Sequence, residues 1–147
     1  MLKHIDPILS ADLLWMLAAM GHGDDLAVVD ANHPAERIAR KSHSGRLIRL
    51  PGLALPEVLR AILTVFPLDT FEPAPVRVMA QVHNPSDEPQ VQRDAAAIFV
   101  KHGHAGLPFA RLERAVFYAA ASDGFGVVQV GDPRPYGCFL LRKGITA

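Results

Sequence analysis

Between residues 20 and 32 the chain reads Met-Gly-His-Gly-Asp-Asp-Leu-Ala-Val-Val-Asp-Ala-Asn, and no other stretch constrains its folding as strongly. Leu26-Ala-Val-Val29 is a short, β-branched apolar run, the pattern of a strand buried on both faces of a sheet. Asp30 then falls at the carboxyl end of that strand, where open α/β sheets place ligands. On the other side, Ser10 precedes Ala-Asp-Leu-Leu-Trp-Met-Leu-Ala-Ala-Met as a helix N-cap, Leu13, Leu14 and Leu17 share one face, and Gly21 ends the helix. His22 begins a loop between two glycines, and we expect it to share a crevice with Asp30 as an acid–base site. Taken alone, a histidine between glycines is more commonly a helix end, and such an aspartate a turn former.

Further along, the same kinds of element recur. Residues 36–45 are rich in Arg, Lys, His and Ser and suit an exposed helical turn or loop, followed by a short strand over Arg46–Leu50. Pro56 fits the first turn of a helix carrying Val58, Leu59, Ile62, Leu63 and Phe66 at helical spacing until Pro67. Val76, Val78, Ala80 and Val82 alternate as in a strand, and Asn84–Pro89 is a turn-rich loop. Helices are expected over Val91–His102 and Arg111–Ala121, the second with Leu112, Ala115, Val116 and Ala119 inward. Phe125–Val130 and Tyr136–Arg142 are strand candidates around Gly131-Asp-Pro-Arg-Pro135. Helices alternating with short apolar strands predict one α/β domain over residues 1–147, with a mostly parallel or mixed central sheet and helices on both faces.

The charge balance narrows the partners. Fifteen basic and fifteen acidic residues cancel, which leaves no electrostatic footprint for nucleic acid or an anionic membrane. No apolar run nears the ~20 residues that span a bilayer, and residues 1–7 lack signal-peptide character, so a cytoplasmic protein is expected. Cys138 is the single cysteine, which excludes an intramolecular disulfide.

Other candidate sites are weaker. Lys101-His-Gly-His104 has no further ligands in register for a metal. His22, Asp24, Asp25, Asp30 and His33 form a metal set on paper, the basis of a metal-hydrolase alternative, although adjacent Asp24 and Asp25 point apart in extended backbone. Gly21/Gly23 and Gly124/Gly126 do not fit a dinucleotide fingerprint, so no organic cofactor is expected. Arg114 and Tyr118 lie four apart on one helical face, and Tyr136-Gly137-Cys138 follows a proline-rich turn that can present a phenol and a backbone amide to a ligand.

Four motifs jointly carry a resemblance: Met20-Gly-His-Gly-Asp24, Asp30-Ala-Asn-x-Pro34, Arg114-Ala-Val-Phe-Tyr118 and Tyr136-Gly-x-x-Leu-Leu-x-Lys-Gly144. In order and spacing over nearly the whole chain they resemble the L-fucose mutarotase and D-ribose pyranase family, and Arg-x-x-Phe-Tyr resembles its fucose branch. The resemblance implies a ribose pyranase-like fold and a cytoplasmic isomerase that interconverts anomers of a free monosaccharide, L-fucose first, without metal or organic cofactor. It further implies a ring-shaped homo-oligomer, a decamer, with sites close to subunit boundaries. By motif, His22 is the general acid/base, and Asp30, Arg114, Tyr118, Tyr136, Gly137 and Cys138 bind the sugar. A ribose pyranase-type ring interconversion and a non-catalytic sugar-binding or transport accessory role are the alternatives.

Two positions depart from the family pattern. Cys138 stands where an asparagine is usual, and His33 where an aromatic commonly precedes the proline. A thiol donates and accepts weakly beside an amide, whereas His33 adds a hydrogen-bonding or titrating group.

Overall fold

Asp25–Val29 forms β1, the strand around which the computed structural model of residues Met1–Ala147 is organised. The remaining strands are β2 (Leu47–Leu50), β3 (Val76–Met79), β4 (Phe109–Leu112), β5 (Gly126–Val130) and β6 (Cys138–Arg142), and the helices are α1 (Ala11–Ala19), α2 (Ala35–Lys41), α3 (Leu55–Leu63), α4 (Gln90–Lys101) and α5 (Arg114–Ser122). The strands make one sheet in the order β2-β5-β1-β6-β3-β4. Only β6 runs against its neighbours, β1 and β3; every other pairing is parallel. The sheet is therefore mixed, as expected.

Alternation along the strands fills two cores. Leu26 and Val28 of β1, Val128 of β5 and Phe139 and Leu141 of β6 face α1, α3 and α4. Ala27, Val29, Val127 and Leu140 face α2 and α5. Because β1 and β6 are buried on both faces, their sequences are near-continuous apolar runs.

Ser10 caps α1 by accepting the Leu13 amide at 3.3 Å, as its sequence predicts. Gly21, however, is not the residue that takes the left-handed conformation after the helix; Gly23 does, with φ +86°. Residues 36–45 also differ from expectation, since Ala35, Ile38 and Ala39 of α2 are buried against the sheet. At α3, the Glu57 carboxylate accepts the Ala54 amide at 3.0 Å and the buried Asp132 carboxylate accepts that of Leu55, so two free N–H groups of the first turn are satisfied.

Residues 109–112 form an edge strand, so the helix expected from Arg111 begins only at Arg114, where Glu113 caps it by accepting the Ala115 amide. Starting the helix there turns its inner face to Phe117 and Ala121, while Ala115, Val116 and Ala119 are exposed. Strand β3 stops at Met79, and Val82 is exposed. Its amide leaves the ladder and donates to the Tyr136 hydroxyl at 3.3 Å.

Candidate sugar site

Asp30 is the first residue past β1 and is almost fully buried, 2 % exposed. One of its carboxylate oxygens reaches across to the start of β6 and the other turns back to its own loop. Oδ1 accepts the Asn32 amide at 2.8 Å, and Oδ2 accepts the Gly137 amide at 3.0 Å and the Cys138 thiol at 3.4 Å. Burial raises the carboxyl above its ordinary range, while these donors pull the other way by stabilising the anion. The thiol is pushed up by burial and by the charge of Asp30, so the sulfur keeps the proton that it donates.

His33 closes the other side. Its Nδ1 lies 3.6 Å from the Cys138 sulfur and its ring meets Tyr118 edge-on at 5.3 Å, while Nε2 is buried without a partner. Burial lowers its pKa to about 4, so the ring is neutral at pH 7. A buried, unpaired ring nitrogen is costly unless a ligand or water meets it.

Tyr136 adopts φ +66°, a left-handed conformation that is uncommon for a bulky residue and that needs support from its surroundings. Gln92 supplies that support, since its side-chain amide donates to the carbonyls of Tyr136 at 3.0 Å and Met79 at 2.9 Å. Arg111 in turn donates to the Gln92 carbonyl oxygen at 3.3 Å. A Cβ at Gly137 would be tight, 3.2 Å from Val91 Cγ2 and 3.3 Å from the Asp30 Cβ. Its contribution is the amide.

Asp30, His33, Met79, Tyr118, Tyr136 and Cys138 line a hollow of about 130 Å³. Arg114 does not line it; it is exposed at the start of α5, one turn before Tyr118. Of the predicted binding residues, the fold thus gathers Asp30, Tyr118, Tyr136, Gly137 and Cys138. Gln92 and Arg111, which hold the Tyr136 backbone without lining the hollow, sit in no recognisable motif.

His22 is elsewhere. It precedes β1 whereas Asp30 follows it, and a five-residue strand spans about 13 Å. The expected shared crevice within one chain is not formed. Instead, His22 is the second residue of a turn over Gly21–Asp24, closed by the Asp24 amide donating to the Gly21 carbonyl at 3.2 Å and by Asp24 Oδ2 accepting the Gly21 amide at 2.7 Å. The left-handed Gly23 at the third position is what a type II turn requires. Lys143 pins the turn, donating from Nζ to the carbonyls of Leu17 and Met20, both at 2.6 Å. His22 borders a larger hollow of about 490 Å³ whose other walls are mostly apolar, including Leu14, Leu17, Val65 and Pro67. Size does not decide between the hollows for a polyhydroxylated ligand; the smaller one holds the converging polar groups.

The metal set drawn on paper is dispersed: no three His, Cys, Asp or Glu side chains come together as ligands. Asp25 is engaged by Arg77 and Arg142, and Asp24 closes the His22 turn. No helix is long and apolar enough to cross a membrane.

Comparison with known proteins gives one consistent result. The RbsD / FucU transport protein family model matches residues 3–146. An L-fucose mutarotase of Histophilus somni is 35% identical over 99% of this chain and 98% of its own length. Among solved structures, the fucose mutarotase from Streptococcus pneumoniae in complex with L-fucose superposes with a TM-score of 0.89 at 32% identity, over 99% of this chain and 100% of that one. FucU from Bifidobacterium longum gives 0.90 at 34% identity over the same shares. The chain belongs to the RbsD / FucU family.

Proposed function

We propose that this chain is a monosaccharide mutarotase whose substrate is L-fucose. Relatives matched end to end carry the name L-fucose mutarotase, and a mutarotase is an isomerase, so the chain is an enzyme of that class. The observation that carries the reading is the polar hollow at the carboxyl end of β1, where Asp30, Tyr118 and Tyr136 meet.

Mutarotation opens the bond between the anomeric carbon and the ring oxygen and recloses it on the other carbonyl face. One proton leaves the anomeric hydroxyl and one is delivered to the ring oxygen, so a positioned acid–base group suffices, worth typically ~10²–10⁴-fold. Imidazole carries one nitrogen that donates and one that accepts, and His22 fills that role. Asp30 accepts from a sugar hydroxyl, and the tyrosine rings cover its C–H face while their hydroxyls hydrogen-bond. Arg114, unpaired and exposed, offers a planar fork of donors to vicinal oxygens.

Asp30 and His22 cannot act on one sugar within a chain, since β1 lies between them. A hollow of about 130 Å³ is also below the ~300–1,000 Å³ usual for ligand sites. Both points favour a site completed by a neighbouring copy, whose His22 meets this chain's Asp30 in a ring-shaped decamer. Exposed Val116 and Phe71 are apolar surface available to such contacts. We place this assembly in the cytoplasm, where free monosaccharides enter metabolism.

The test is saturation-transfer NMR on the anomeric protons of L-fucose. Exchange between the α and β signals should quicken with the protein and return to the uncatalysed rate with His22→Ala. Exchange unchanged by the wild-type protein would exclude mutarotase activity, and unaltered exchange in His22→Ala would exclude the histidine.

A further inference from the structure

The carboxylate of Asp69 lies 3.1 Å from Nε2 of His22, on a segment 47 residues away that no motif marks. We propose that Asp69 is the positioning residue of the reaction: it fixes the proton of the His22 ring on Nε2 and thereby presents the lone pair of Nδ1 to the sugar. The proposal rests on the mutarotase reading above.

Asp69 is built in rather than loosely placed. It is only 4 % exposed, whereas the His22 side chain is 44 % exposed. Its own amide donates to the Arg142 carbonyl at 3.0 Å, and Leu68 bridges to Lys143, so the residue is sewn to the end of β6. The same Lys143 pins the His22 turn, which couples the two partners through one backbone segment. Asp69 Oδ1 also accepts the Phe71 amide at 3.0 Å. That amide first, and the His22 contact with it, hold the carboxyl below its ordinary range, so it is an anion and can only accept. The ring nitrogen facing an obligate acceptor must carry the hydrogen. Nδ1 has no partner in the chain, and Phe71 meets the ring edge-on at 5.2 Å, restricting its rotation.

The chemistry then has a direction. Nδ1 takes the proton of the anomeric hydroxyl, the O–H bonding pair becomes the second bond of the C1 carbonyl, and the C1–O5 pair departs on O5. A water relays the proton from Nδ1 to O5, so the open aldehyde forms with no net gain or loss, and closure retraces the steps. While the imidazolium exists, the Asp69 anion faces its Nε2–H, as the aspartate of a Ser-His-Asp triad faces its histidine.

Long-range ¹H–¹⁵N correlation of histidine-labelled protein reads the tautomer of His22 directly, independent of activity. The neutral ring should show the Nε2–H tautomer in the wild type and a mixture in Asp69→Asn. Anomer exchange should fall about 10- to 100-fold in kcat in that variant, with KM within about twofold. A wild-type ring in the Nδ1–H tautomer, or an Asp69→Asn protein with unaltered tautomer and kcat, would overturn the proposal. A wild-type protein that shows the Nε2–H tautomer but no exchange would remove the mutarotase reading while leaving the Asp69 geometry standing.

Discussion

The thiol of Cys138 donates to Asp30 at 3.4 Å from a position that is 2 % exposed, so the residue that departs from the family pattern is bonded to the residue proposed to hold the sugar. A thiol is a poor hydrogen-bonding group, and this one is already committed to a carboxylate. Cys138→Asn supplies an amide that donates to Asp30 and accepts in the same hollow. A net hydrogen bond is worth roughly 0.5–1.5 kcal/mol, so KM for L-fucose should fall about two- to tenfold. Initial-rate NMR on the variant measures it; an unchanged or higher KM in a folded protein would show that the added amide meets no sugar hydroxyl.

His33 makes stability depend on pH in a predictable direction. Its folded pKa of about 4 lies below the ordinary 6.5, so in that window the unfolded chain binds a proton that the folded chain refuses. Stability is unaffected above pH 6.5 and is lost as pH falls towards 4, by about 2 kcal/mol between pH 7 and pH 5. Arg37 adds to the effect by disfavouring the imidazolium, while Asp30, whose carboxyl is raised, protonates sooner in the fold and opposes it. Urea titrations of wild type and His33→Phe at both pH values isolate the histidine. From pH 7 to pH 5 His33→Phe should gain about 2 kcal/mol relative to the wild type, whichever is the more stable at pH 7, and a constant difference would contradict the assignment.

Asp132 should behave as a structural anion. It accepts from the Leu55 amide, from the Arg134 amide and from the Arg134 guanidinium, whose hydrogen bonds hold its pKa at about 2. Because that value is depressed, the contribution is present above the ordinary 3.8 and disappears as pH falls through about 2. Asp132→Ala should cost about 1.5–3 kcal/mol by urea unfolding at pH 7, since a buried charged acceptor is removed from α3 and from the loop that carries Tyr136. A cost under about 0.5 kcal/mol would place Asp132 among ordinary surface residues.

These three sites show what local sequence does and does not encode. The β1 run and the Pro56 helix were legible because β-branched runs and prolines act over a few residues, whereas the strand expected from Tyr136 begins at Cys138, since Tyr136 sits in a turn at φ +66°. The side-chain partnership of Asp30 with Gly137 and Cys138 spans more than 100 residues, yet motif order brought both into one expectation. Strand β4 was missed because Phe-Ala-Arg-Leu carries no alternation of its own and pairs only with β3. Moving the α5 start to Arg114 changed which residues face the core, so Phe117 rather than Val116 packs inward. Asp69 and Gln92 act purely through tertiary contact. The separation of His22 from Asp30 was legible in principle, because a strand between two residues sets them at its two ends.

The sharing of one sugar between His22 of one copy and Asp30 of another is tested most directly by complementation. His22→Ala and Asp30→Asn chains are co-expressed in equal amounts, purified as mixed assemblies, and assayed for L-fucose anomer exchange by NMR. Each variant alone should be inactive. In random mixed rings a quarter or so of the boundaries bring an intact His22 to an intact Asp30, so about a quarter of the wild-type rate per site should return. A mixed assembly as inactive as its two parents would contradict a site built from two copies.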